Sequence, residues 1–226
     1  MGARVGEAGT HRRPTTEEDH VLLPPPRPSD WDDVGDYLLA GALVELNHGH
    51  PPAPALAAFA GEDPIAIGNL RPFDPGEVVP ALVEVLALLL PLGVDRLALL
   101  LPARAWSLLD PIPPVTDDVD LRTRVLVVVT GDGHDQPCDT DATVQELLAP
   151  AAPEDRWSLG EPLAPDSGAD DRLSHALTIL LDHRDELQAE LTEDALVQQL
   201  GRILLLGHEL ALAPASTHRL TLASTH

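Results

Sequence analysis

Five carboxylates crowd into fifteen positions near the middle of the chain: Asp132, Asp135, Asp139, Asp141 and Glu146. Hard cations such as Mg²⁺ and Ca²⁺ take oxygen ligands of this kind, which makes the five a candidate metal set. Within it, Asp139 and Asp141 stand two positions apart. A solvated acidic loop has the same composition. Counted as a calcium loop from Asp135, the run has Pro137 at the third position and Thr140 where the sharp-turn glycine belongs. Asp139 or Thr140 would equally cap a helix starting at Ala142, with the acids on its N-terminal dipole.

The run Asp139-Thr140-Asp141-Ala142-Thr143-Val144 resembles the Asp-x-Asp-x-Thr/Val motif of haloacid-dehalogenase-type phosphatases. The resemblance implies Asp139 as nucleophile, Asp141 as general acid and Mg²⁺ as cofactor. That family's phosphate-binding lysine has no counterpart here, because all 14 basic side chains are arginine. The same absence excludes a P-loop lysine, a pyridoxal-phosphate Schiff base and a Ser-Lys nucleophile pair. Gly131-Asp132-Gly133-His134-Asp135 resembles the Asp-Gly-His segment of metal-dependent Ser/Thr phosphatases, but the later Asp-Gly and Gly-Asp segments do not follow, and a Gly/Asp turn accounts for it. His48-Gly49-His50-Pro51 resembles the His-x-His-Pro core of JAB-type zinc isopeptidases. Ala58 and Gly61 stand where that family has Ser and Asp, leaving two imidazoles at a helix C-terminus.

The formal charge of −23 repels phosphate, and six aromatic residues give few stacking platforms, so nucleic acid is not an expected partner. A basic protein partner suits that charge better. The excess is densest from Asp110 to Asp171, where fifteen acids face three arginines. No apolar run approaches the roughly twenty residues of a membrane span. The first twenty residues lack the apolar stretch of a secretion signal, and the single Cys138 fits a reducing cytoplasm. Arginine-only basic usage with abundant Ala, Leu and Pro points to a GC-rich bacterial source.

These residues need a scaffold, and the pattern predicts an α/β fold. Residues 1–28 read as a disordered arm, 29–162 as an α/β domain, 163–169 as a linker, 170–210 as a helical hairpin and 211–226 as a flexible tail. Ser29 is the expected cap of a first helix running to Leu46. Strands are expected at 64–70, 94–101 and 121–130, with an edge strand around Trp157, a helix over 77–90 and a short helix over 140–148. Strand, helix and strand from 64 to 101 form a βαβ unit with parallel strands, set in a small mixed sheet of about four strands with flanking helices. The C-terminal hairpin is expected to pack on the sheet or to pair with a second copy. With no complete catalytic constellation, the expected function is a non-catalytic interaction or regulatory protein without a cofactor. The alternative is a divalent-metal-dependent hydrolase using Mg²⁺ or Ca²⁺ at the acidic loop.

Overall fold

The structure, a computed structural model, describes residues 31–74, 76–106, 111, 115–116, 119–120, 122–135, 137–152, 155–163, 171–187 and 193–213. In chain order these form α1 (Val34–Asn47), β1 (Ala55–Ala60), β2 (Asp63–Asn69), α2 (Val78–Leu89), β3 (Arg96–Ala105) and the short β4 (Val115–Thr116) and β5 (Val119–Asp120). Next come β6 (Thr123–Asp132), β7 (Asp139–Leu148), β8 (Ser158–Leu163), α3 (Asp171–Asp182), α4 (Arg184–Leu187), α5 (Glu193–Leu205) and β9 (Glu209–Leu212). The arm, most of the linker and residues 214–226 of the tail lie outside the described residues, as does Ser29; α1 starts after Asp33, whose side chain makes no cap bond.

Seven strands make one antiparallel sheet in the order β8-β7-β6-β3-β1-β2-β9, and β4 pairs with β5 alone. This corrects the expected mixed sheet of about four strands. β2 and β3 do run in the same direction across α2, but β1 lies between them and pairs antiparallel with both, so the βαβ unit is split. β1 reads Ala-Leu-Ala-Ala-Phe-Ala, without a β-branched residue, and Ala and Leu favour helices in isolation. Burial overrides that preference: Leu56, Ala57, Ala58 and Phe59 are all closed off from solvent.

The short helix expected over 140–148 is instead strand β7, paired with β6 from Asp132↔Asp139 to Val125↔Glu146. A full ladder beside the β-branched β6, together with burial of Val144 and Leu147, outweighs the capping signal. The expected helical hairpin is α3, α4 and α5, packed on the domain: α3 lies on β6 and β7, and α5 on α2 and β9. Residues 209–212, expected as hairpin end and tail, form edge strand β9.

Helices cover both faces. Leu82, Leu86 and Leu89 of α2, Leu177 of α3 and Ile203 of α5 bury one face of the sheet, while Val34, Leu38 and Ala42 of α1 bury Ala98, Leu100 and Val128 on the other. Burying a Leu or Val side chain stabilises by roughly 1.5–3 kcal/mol, so the two layers carry the fold.

Edge strand β9 is held by a side-chain latch as well as by its ladder to β2. Arg71 donates Nε and Nη2 to the two oxygens of Glu84, at 2.9 and 3.1 Å. Glu84 also meets Nε2 of the buried His208 at 2.9 Å, and Nδ1 of that ring accepts the Arg71 backbone N–H at 3.2 Å. The second bond leaves the ring proton on Nε2, facing the carboxylate. Bonds from Arg71 first, and His208 second, hold the Glu84 carboxyl down at about 2. Closure also depends on one missing side chain, since a Cβ on Gly68 would sit 1.9 Å from the carbonyl oxygen of Glu209. Gly68→Ala is therefore expected to push β9 off β2. Amide exchange at Ala211 and Ala213 should quicken, and urea unfolding should lose about 1–3 kcal/mol. Unchanged protection at both amides would show that the strand has room to spare.

Candidate functional site

Side chains alternate along a strand, so Asp139, Asp141 and Thr143 share one face of β7. Their neighbours on the same face of β6 are Asp132, Thr130 and Val128, by the register of the hairpin. That face looks towards α1. Between the strands and the start of α1 lies an open hollow of about 270 Å³, bounded by Trp31, Asp32, Gly35, Thr130, Asp141 and Thr143. Asp32, Asp139 and Asp141 are exposed and form no ion pair with any described residue. The hollow is thus edged by carboxylates and hydroxyls, groups that accept hydrogen bonds from a cationic donor.

Asp132 is differently placed. It stands directly opposite Asp139, an arrangement of like charges that costs stability. Arg96, its partner across β3, offsets that repulsion with Nε 3.0 Å from the carboxylate. The same guanidinium pairs with Glu62, donates to the Gly61 carbonyl at 3.3 Å and lies 5.8 Å over the ring of Trp31. Trp31 in turn meets Phe59 edge-on at 5.6 Å. Arg96 therefore fixes one wall of the hollow and commits Asp132 to a structural ion pair.

The Gly131-to-Asp135 run has a packing explanation. A Cβ on Gly131 would come within 2.9 Å of Leu181, and one on Gly133 within 3.0 Å, so the two glycines let α3 rest on the end of β6. Asp132 accepts the His134 backbone N–H at 3.0 Å. The His134 ring bonds through Nδ1 to Asp95 at 2.9 Å, and the other oxygen of Asp95 accepts the Gly61 N–H at 2.8 Å. One carboxylate thus ties the β1–β2 turn, the start of β3 and the end of β6 together.

Of the five acids singled out by their spacing, the sheet brings Asp132, Asp139 and Asp141 onto one face. Asp135 is exposed in the turn after β6. Glu146 points to the opposite face, about 17 Å along β7 from Asp141 at the usual strand rise. Among the described residues, no three His, Cys, Asp or Glu side chains form a group able to hold a metal ion. Cys138 is buried, and burial first, then the Asp182, Asp132 and Asp139 carboxylates, push its thiol up to about 11, so it stays protonated at neutral pH. His48 ends α1, and the exposed His50 pairs with Glu45 at 3.1 Å. Trp31 and Asp32 are the wall residues that sequence reasoning missed, because nothing local links them to β7 a hundred residues away.

No described helix is long and apolar enough to cross a membrane. No family model, curated protein or solved structure matches the chain.

The Asp95 carboxylate, by accepting the ring's hydrogen bond, raises the His134 pKa above its usual 6.5. A raised folded-state value means that the bond contributes stability in full below about 6.5, and loses it as pH climbs through the folded pKa. An NMR titration should place the His134 midpoint above 6.5, and Asp95→Asn should return it towards that value. His134→Gln should lower stability at pH 6 more than at pH 8.5. A midpoint at or below 6.5 in the unmodified chain would contradict the pairing.

Proposed function

We propose that this chain is a non-catalytic binding protein of a bacterial cytoplasm whose acidic β6–β7 face receives a basic segment of a protein partner. One observation carries the reading: Asp32 and Asp141 line the hollow under α1, Asp139 stands beyond them on the same face of β7, and none of the three makes an ion pair with a described residue. An arginine side chain entering there would meet carboxylates at Asp32 and Asp141 and the hydroxyls of Thr130 and Thr143 at its planar fork. The −23 charge of the whole chain would speed the encounter and make it sensitive to salt. The groups that chemistry would need are otherwise engaged: Asp132 by Arg96, His134 by Asp95, and Cys138 by burial. For that reason a divalent-metal hydrolase at Asp132, Asp139 and Asp141 is the weaker reading, resting on their shared face alone.

Fluorescence anisotropy with an arginine-rich dodecapeptide tests the proposal. Binding at low salt should weaken at least tenfold when Asp32, Asp139 and Asp141 are changed together to Asn, a loss of about 1.4 kcal/mol. A charge-matched control, Asp74→Asn with Glu161→Gln and Asp185→Asn, should weaken it far less. Absence of binding at low salt, or equal loss in both variants, would count against a defined site. A thermal melt in Mg²⁺ or Ca²⁺ separates the hydrolase reading. Stabilisation of about 2.7 kcal/mol at a hundredfold excess over Kd, abolished by Asp139→Asn, would favour a metal site instead.

A further inference from the structure

The two ends of the sheet are finished differently. Edge strand β8 carries Pro162 and exposed Glu161, and its register slips between Gln145 and Leu147 of β7, all features that discourage pairing with another chain. Edge strand β9, Glu-Leu-Ala-Leu, has neither a proline nor a register slip, and its one charge, Glu209, stands at its first position. Its ladder can be read residue by residue. The Ala213 N–H bonds the Ile65 carbonyl at 2.8 Å, so in the β2 register the bonded positions are 213, 211 and 209. Antiparallel bonding alternates, so the N–H and C=O groups of Leu210 and Leu212 point away from β2, towards the open edge.

An apolar flank stands beside that edge. The inner stripe of α5, including Leu196, Leu200 and Ile203, faces α2 and the core. Val197 and Leu204 lie about a quarter turn from that stripe, on the flank that α2 leaves open, and are 63% and 52% exposed. Leu205, at 90%, and Leu206, at 39%, continue the apolar surface into the turn before β9. Gly201, between Val197 and Leu205 on the helix, has open space where a Cβ would be.

We propose that β9 and this flank of α5 join two copies of the chain into a dimer with one continuous sheet. A two-fold axis normal to the sheet at Ala211 sets Leu210 opposite the partner's Leu212. Both then lie on the helix-covered face, and their outward amides and carbonyls bond reciprocally. The register suits the charges, because Glu209 falls opposite the partner's Ala213 rather than the partner's Glu209. The same rotation lays the two α5 helices side by side and antiparallel, so one axis satisfies strand and helix together. Self-association of a chain with net charge −23 needs a face poor in acids. Glu209 is the one acid from Ala195 to Ala213, while Arg202 adds a cation. Val197, Leu204, Leu205 and Leu206 alone expose on the order of 400 Å² per copy, about half of the ~800 Å² per partner in a standard interface, before the paired strands are added.

Sedimentation velocity on the full chain over a wide concentration range, with hydrogen exchange of the backbone amides, decides the matter. The expected species has twice the 24.1 kDa chain mass, with the Leu210 and Leu212 amides protected only where the dimer is populated. Leu205→Glu, at a side chain with no part in the core, should raise the dissociation constant at least tenfold and leave unchanged the melting curve recorded at concentrations where the chain is monomeric. Leu212→Pro removes an outward N–H without touching the β2 ladder and should weaken the dimer while Ala211 stays protected. A monomer at every concentration overturns the proposal, including one in which residues 214–226 protect the edge. So does a dimer indifferent to both substitutions, or an open-ended assembly in place of a closed pair.

Discussion

Covering both faces of β1 takes the backbone amides and carbonyls of Ala55–Ala60 away from water, so each must find a partner in a flanking strand. β2 supplies one side through a short turn, and β3 the other after the chain has crossed one face as α2. Once β1 is central, α1 must cover the face that α2 does not. Small side chains at Ala57 and Ala58 let both layers come close, while Leu56 and Phe59 fill one layer each. β6, β7 and β8 follow on the far side of β3, and β9 closes the far side of β2.

Arginine is the only strongly basic residue in the chain, and its planar fork shapes the ends of the strands. Arg71 clamps Glu84, Arg96 joins Asp132 to Glu62, and Arg122 grips Asp120 through Nε and Nη2, holding that carboxyl down at about 2. Arg124 lies 5.3 Å over the ring of Trp157, with no acid paired to it among the described residues. Several guanidiniums are therefore spent within the fold, and the acids left over stand at the surface. The negative field around the hollow under α1 follows from that partition as much as from composition.

Local sequence made some elements plain and hid others for identifiable reasons. The valine-rich run of β6 and the nearly all-apolar α2 carry strong local signals, and both form where expected. β1 was hidden because alanine has no preference for strands, and its burial depends on strands far along the chain. β7 was hidden because Asp-Thr-Asp reads equally as a helix cap; only the ladder to β6 decides it. At the site, the acids of β7 were legible as a cluster. Their alternation over two faces of a strand was not, and the pairing of Arg96 with Asp132 spans 36 positions that no local pattern connects. His134 was visible as part of a motif, but its partner Asp95 belongs to the start of β3, read only as apolar.

The pairing of β9 with β2 joins residues roughly 140 positions apart, the most distant contact in the sheet. A ribosome adds about 5–20 residues per second, so a nascent chain carries β2 with one edge open for on the order of ten seconds before its neighbour is made. During that interval Ile65 and Ile67 lie beside unpaired amides, and Gly68 offers no side chain to obstruct an intruding strand. The glycine that admits β9 so closely leaves the same gap open to any other extended segment. Synthesis speed and chaperone supply therefore bear on the yield of this fold through a single narrow strand edge.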